Sequence, residues 1–284
     1  MRAAGLESPS LLRRARAGGA ARAYLRLFVA GFREQAAYQL AMFGGLVANV
    51  TFGFLKVAML FATVRAAGGT VQGYDIGAMS AYIWISQGML GSINLNGRID
   101  LADRIKTGDV AVDFLRPINV QLATVATEAG KAVFALIPRG VPSVAIGALV
   151  VGMSAPGTAA PYLLGAVSLL IGITVSFSTV YLVAVVGFWL IETRGIQIFY
   201  MVISGFFAGL YVPISLFPTW LLVVAQATPF PSMMMYPIDV LTGRVTGAAS
   251  YGLVCAQLGW LAVTLLAGHL LTVAGRRKLE VQGG

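Results

Sequence analysis

Apolar runs of about twenty residues, separated by short charged or proline-rich stretches, dominate the chain from residue 38 onward. That is the length an α-helix needs to cross a bilayer core. Six spanning helices are expected, near 38–64, 76–95, 133–153, 161–191, 196–212 and 250–273. The fourth is long enough to tilt or to extend past the bilayer. In the third, Arg139 sits between Pro138 and Pro142, and a charge at mid-bilayer is costly. The stretch 120–137 is therefore expected to begin as a helix in the cytoplasmic leaflet, with Arg139 facing protein or water. Upstream, Leu25, Phe28, Val29 and Phe32 recur at helical spacing opposite Arg22, Arg26 and Arg33. Residues 24–34 thus read as an interfacial amphipathic helix, or equally as a cytosolic extension of the first span. Residues 1–23 read as a mobile basic tail and 279–284 as a short second tail. No apolar run follows Arg13-Arg14, so no export signal is expected.

Composition narrows the class. Of 284 residues, 58% are hydrophobic and 11% charged, with a mean hydropathy of +0.82. Soluble domains carry about 25% charged residues, so a soluble enzyme is excluded. The single cysteine, Cys255, cannot make an internal disulfide. The apolar runs are continuous rather than alternating, which argues against a β-barrel. The reading is an all-α polytopic membrane protein with one domain over 24–278. The net charge of +9 gains meaning from its placement. With six spans, the side carrying the termini also carries Arg98, Arg104, Lys106, Arg116 and Arg194, whereas the other holds only Arg65 and Arg244. Positive residues mark the cytoplasmic side, so both termini are expected there, and nucleic acid is not an expected partner.

Catalytic groupings are missing. His269 is the only histidine, so neither a His-based zinc site nor a Ser–His–Asp triad is available. Gly130-Lys131 lacks the surrounding residues of a phosphate-binding P-loop. The chain is not expected to be an enzyme or to hold a metal or cofactor itself. Nor do the spans carry the buried carboxylates usual in ion-coupled carriers. Lys56, late in the first span, is expected to snorkel to the outer surface.

Two segments carry information. In the cytoplasmic stretch 96–119, Ile99, Ala102 and Ile105 form one apolar face among Arg98, Asp100, Asp103, Arg104 and Lys106, with Gly108 as a helix stop. This is either a helix suited to docking on another protein or a solvated loop. In 205–243 the prolines Pro213, Pro218, Pro229, Pro231 and Pro237 bracket the apolar run from Trp220 to Ala227. That run is too short to span, and is expected to dip back into the outer leaflet as a helical hairpin.

The stretch Arg104-Ile105-Lys106-Thr107-Gly108-Asp109 through Leu115-Arg116-Pro117 resembles the signature after the second span of ABC-2 type exporter permeases. The pattern Pro213, Pro218, Trp220, then Pro229-Phe230, is similar to that family's segment between the fifth and sixth spans. The resemblance implies a membrane subunit of an ATP-binding-cassette exporter that pairs with a second permease, identical or homologous. Two ATPase subunits would lie beneath, and they would hold the ATP and Mg. It further implies an ATPase-coupling segment over 96–117, containing Ile99, Ala102, Asp103, Ile105 and Gly108. It assigns 24–34 to the interfacial helix and 213–247 to an outer re-entrant segment. The large excess of Arg over Lys suggests a bacterial plasma membrane.

A translocation seam is expected along two polar stripes, Gln87 and Asn94 on the second span and Gln197, Tyr200, Ser204 and Tyr211 on the fifth. The competing reading is hydrogen bonding within one subunit. Without fixed charge on those stripes, the expected cargo is amphiphilic or hydrophobic, in contact with membrane lipid. Rival functions are a secondary carrier or channel, and a scaffold or sensor subunit.

Overall fold

The computed structural model describes residues 9–190 and 192–282. Those residues are helical apart from their connections. The helices are α1 (Pro9–Ala36), α2 (Gln39–Ala66), α3 (Ile76–Met89), α4 (Asp100–Thr107), α5 (Val110–Phe114), α6 (Val120–Ala135) and α7 (Val141–Ile146). They continue with α8 (Ala160–Val185), α9 (Arg194–Phe207), α10 (Thr219–Gln226), α11 (Phe230–Met233), α12 (Met235–Leu241) and α13 (Ala248–Gln282). Helix α1 takes in most of the stretch expected to be a tail, and α13 runs into the second. Residues 1–8 and 283–284 of those tails lie outside the described residues.

Four helical stretches are long and apolar enough to cross a membrane: Met42–Ala66, Val120–Val151, Ala160–Phe188 and Ala248–Lys278. The stretch containing α8 is 67% buried in its most apolar window, against 17–33% for the other three. Helix α8 is therefore the post around which the rest packs, and the others turn broad apolar faces outward. Burial follows from sequence. Gly165, Ser168, Gly172 and Ser176 repeat along α8 at helical spacing, and small residues let neighbouring backbones approach.

The second and fifth segments are shorter than expected. Helix α3 stops at Met89 rather than near 95, because Asn94 bonds its own surroundings. Its Oδ1 accepts from the amides of Asn96 and Gly97, and its Nδ2 donates to the Arg98 carbonyl. Gly97 then takes φ +69°, a conformation open to glycine. Helix α9 has 14 residues, about 21 Å at helical rise, too short to cross by itself.

The third span is longer than expected. It runs without a break over Val120–Val151, through two wide π-helical turns at Leu136–Gly140 and Gly147–Val151. Pro138 and Pro142 lack amide hydrogens, and a π turn relieves the missing bonds. The part expected in the cytoplasmic leaflet and the spanning part are thus one helix. Helix α1 lies along α6. A Cβ on Gly31 would collide with the Thr127 carbonyl, and one on Gly130 with that of Phe28. Lys131 bridges Glu34 and Glu128 at 3.1 Å each, and Phe32 meets Phe134 edge to face.

Candidate functional site: the α4–α5 platform

Helix α4 begins where the irregular backbone 90–99 ends. That backbone is held on all sides. Ser176 exchanges hydrogen bonds with Asn94, Tyr200 Oη donates to the Asn94 carbonyl at 3.2 Å, and Ser204 Oγ donates to that of Leu95 at 3.0 Å. Three side chains from α8 and α9 therefore satisfy a stretch that makes no helix of its own.

Within α4, Ile99, Ala102 and Ile105 are buried in the chain's own core, with Ile105 packed on Gly187. This corrects the expectation that the apolar face is free to dock. An isolated eight-residue helix is marginal, so α4 spends that face on anchoring itself to α8. Asp103 and Lys106 face outward, and Gly108, at φ +84°, closes the helix in a left-handed turn.

Past Gly108 the chain turns into α5. Asp113 is nearly buried and receives two guanidinium groups, Arg104 at 2.7 Å and Arg116 at 3.5 Å. The Arg104-to-Arg116 pattern is thus an ion-pair clamp that fixes α5 against α4. Lys106 reaches Glu192 at 3.2 Å across the turn before α9. The Glu192 carboxyl is held below its ordinary range by the Arg194 amide, and then by Lys106. Between α4 and this turn lies a cleft of about 410 Å³ lined by Arg98, Asp100, Asp103, Glu192, Arg194 and Gln197.

What the clamp presents outward is apolar. Val112 is 55% exposed and Leu115 83% exposed, with Ala111 beside them. Charge periodicity hid this pair, since it lies beyond the amphipathic helix. The signal in the sequence was two aliphatic residues flanking an acid just before Arg116-Pro117.

The six residues expected on a seam do not share a surface. Gln87 is fully buried, next to Asn49 and Lys56. Tyr200 and Ser204 are used on the 90–99 backbone, and Asn94 lies in that backbone. Gln197 bonds Thr193 at 3.2 Å at the cleft, and Tyr211 is exposed beside Gly205 at the other end of α9. Bonding within one subunit accounts for Gln87, Asn94, Tyr200 and Ser204. Lys56 does not snorkel either, since it is 9% exposed and donates to the Leu210 carbonyl.

In the proline-rich segment Pro213 is buried, Pro218 is exposed and Trp220 is 68% exposed. After Pro229 the chain packs inward. Phe230 lies 5.8 Å from Tyr200, and Met233, Met234 and Met235 are fully buried. Helices α11 and α12 lie along α8, where Gly172 admits the Met233 carbonyl and Gly165 admits Leu241.

Residues 47–283 match the family model described as ABC-2 family transporter protein. No curated protein matches the sequence.

Proposed function

This chain belongs to the ABC-2 transporter family, and we propose that within it the chain is the permease half of an ATP-driven exporter. ATP and Mg are held by two separate cassette subunits, and a second permease, identical or homologous, completes the pore. The chain itself is not catalytic. Its place is a bacterial plasma membrane, with both termini in the cytoplasm and 213–247 re-entering from outside.

The observation that carries this reading is the exposed Val112–Leu115 pair on a braced platform. Apolar side chains at such exposure, next in the chain to the charged Asp109 and Arg116, suit a protein surface better than water. Closure of the ATPase pair would press on α5. The Asp113 clamp would pass that displacement to α4, and the bonded backbone 90–99 would pass it to α8 and α9. Nucleotide would thereby bias a two-state arrangement of the spans. An apolar cavity of about 350 Å³, lined by Ile85, Met89, Leu136, Val144 and Leu169 among others, supports an amphiphilic or hydrophobic cargo.

The test is co-purification with identification of the bound chains, followed by ATPase assays in nanodiscs with amphiphiles, sugars and amino acids. Val112→Asp with Leu115→Asp should abolish ATPase retention while the permease stays folded. Undiminished retention, or stimulation by hydrophilic solutes alone, would overturn the docking surface or the cargo class respectively.

A further inference from the structure

Arg139 lies in the wide turn Leu136–Gly140 and packs against α2 and α3. A Cβ built on Gly45 would fall 2.5 Å from its Cζ, and one on Gly91 would fall 3.2 Å from Nη1. Two glycines thus leave room for the guanidinium. Nη2 donates to Asn49 Oδ1 at 3.2 Å, whereas Nε is buried with no partner. Residues 39–66, 76–89 and 136–151 contain no Asp or Glu. Among the described residues, neither Arg139 nor Lys56 has a carboxylate within ion-pairing distance. A membrane-embedded cation left in this state is expensive unless an anion joins it.

The same wide turn contributes Ile137 and Pro138 to a groove of about 390 Å³, lined also by Met42, Phe43 and Phe134. Phe43 is 63% exposed and Ile137 56% exposed, so the groove opens outward. Helix α2 begins at Gln39, so Gly45 lies about 9 Å along the axis from that end. Arg139 therefore meets α2 near that helix's N-terminal end, even though it is well inside its own helix. A phosphate could reach the guanidinium while an acyl chain fills the groove.

We propose that Arg139 and the α2–π-turn groove form a binding site for a bilayer phospholipid with an anionic headgroup. The phosphate takes the free donors of the guanidinium, a geometry that arginine matches with paired hydrogen bonds. Gly45 and Gly91 make room for the guanidinium by their lack of side chains. The site requires only that the chain sits in a membrane, and stands apart from the exporter reading.

The experiment is native mass spectrometry of the full chain, delipidated in detergent and titrated with phosphatidylglycerol or with phosphatidylcholine. Wild type should retain phosphatidylglycerol preferentially. Arg139→Gln should lose about tenfold in that retention, the scale of one charge-assisted hydrogen bond, whereas Arg139→Lys should keep most of it. Ile137→Trp, which fills the groove and leaves the charge, should lower retention as well, and carries the test if Arg139→Gln does not fold. Equal retention of the two lipids by wild type would overturn the site. So would unchanged phosphatidylglycerol binding in Arg139→Gln, or in Ile137→Trp.

Discussion

Ser168 and Gln257 bond to each other twice. Ser168 Oγ donates to Gln257 Oε1 at 2.7 Å, and Gln257 Nε2 donates back to the Ser168 carbonyl at 3.0 Å. The same Nε2 reaches the Ser232 carbonyl at 2.7 Å. One fully buried amide on α13 therefore ties together α8 and α11. In apolar surroundings those groups have no alternative partner. Gln257→Leu should destabilise the protein by about 2 kcal/mol through the orphaned polar groups. A thermal unfolding midpoint in detergent checks this, and an unchanged midpoint would show that the junction contributes nothing.

The α4–α5 platform offers a contrast between two kinds of apolar residue. Ile105→Asp would bury a carboxylate against Gly187, and an unpaired buried charge costs several kcal/mol. It should reduce the yield of monodisperse protein severalfold on size exclusion. Leu115→Asp replaces an exposed side chain and should leave yield unchanged. Equal yields for the two variants would mean that α4 is not anchored through Ile105.

The Lys106–Glu192 contact should respond to acid. Because the folded state holds the Glu192 carboxyl below its ordinary value of 4.5, the contact stabilises the fold above that value. Its contribution fades as pH falls through the lowered one. Hydrogen exchange in the turn before α9, corrected for intrinsic rate, should rise on acidification below about pH 4.5. Glu192→Gln should show the faster exchange already at pH 7 and lose the pH dependence. A turn equally protected in both proteins across that range would remove the contact from the bracing of α4.

Orientation can be read from two exposed threonines. In a Cys255→Ser background, Thr246→Cys should react with a membrane-impermeant thiol reagent in intact cells. Thr107→Cys should react only after permeabilisation. The expectation follows from the excess of arginine on the α4 side, and the reverse labelling pattern would invert the topology.

Hydrophobic run length located the four long helices, because crossing length is a property of sequence alone. It misjudged α3, since a helix end set by Asn94 and Gly97 depends on where Tyr200, Ser204 and Ser176 come to lie. Polar stripes misled for the same reason. A serine or glutamine inside a span has the same spacing whether it faces a pore or a neighbour's carbonyl, and only tertiary contacts decide. The apolar face of α4 was visible, but its direction was not, because amphipathicity says that a face is buried and not against what. The wide turn Leu136–Gly140 was marked by Pro138 and the nearby Pro142, the second at Gly147–Val151 by no proline, and the room for Arg139 came from Gly45 and Gly91, far away in sequence.

Those wide turns set a phase. Along the third span, Gly140 faces Gly88 and Gly147 faces the Trp84 ring, which a Cβ would strike. A π turn holds one residue more than an α turn. Deleting one residue from Leu136–Gly140 would restore an ordinary turn and keep the phase, whereas winding the same residues as an α turn would rotate everything beyond them by about 100°. Gly147 would swing off Trp84 and a bulkier neighbour would swing on. The two halves of this helix therefore behave like a dial and its stop, with a single supernumerary residue fixing the angle between them.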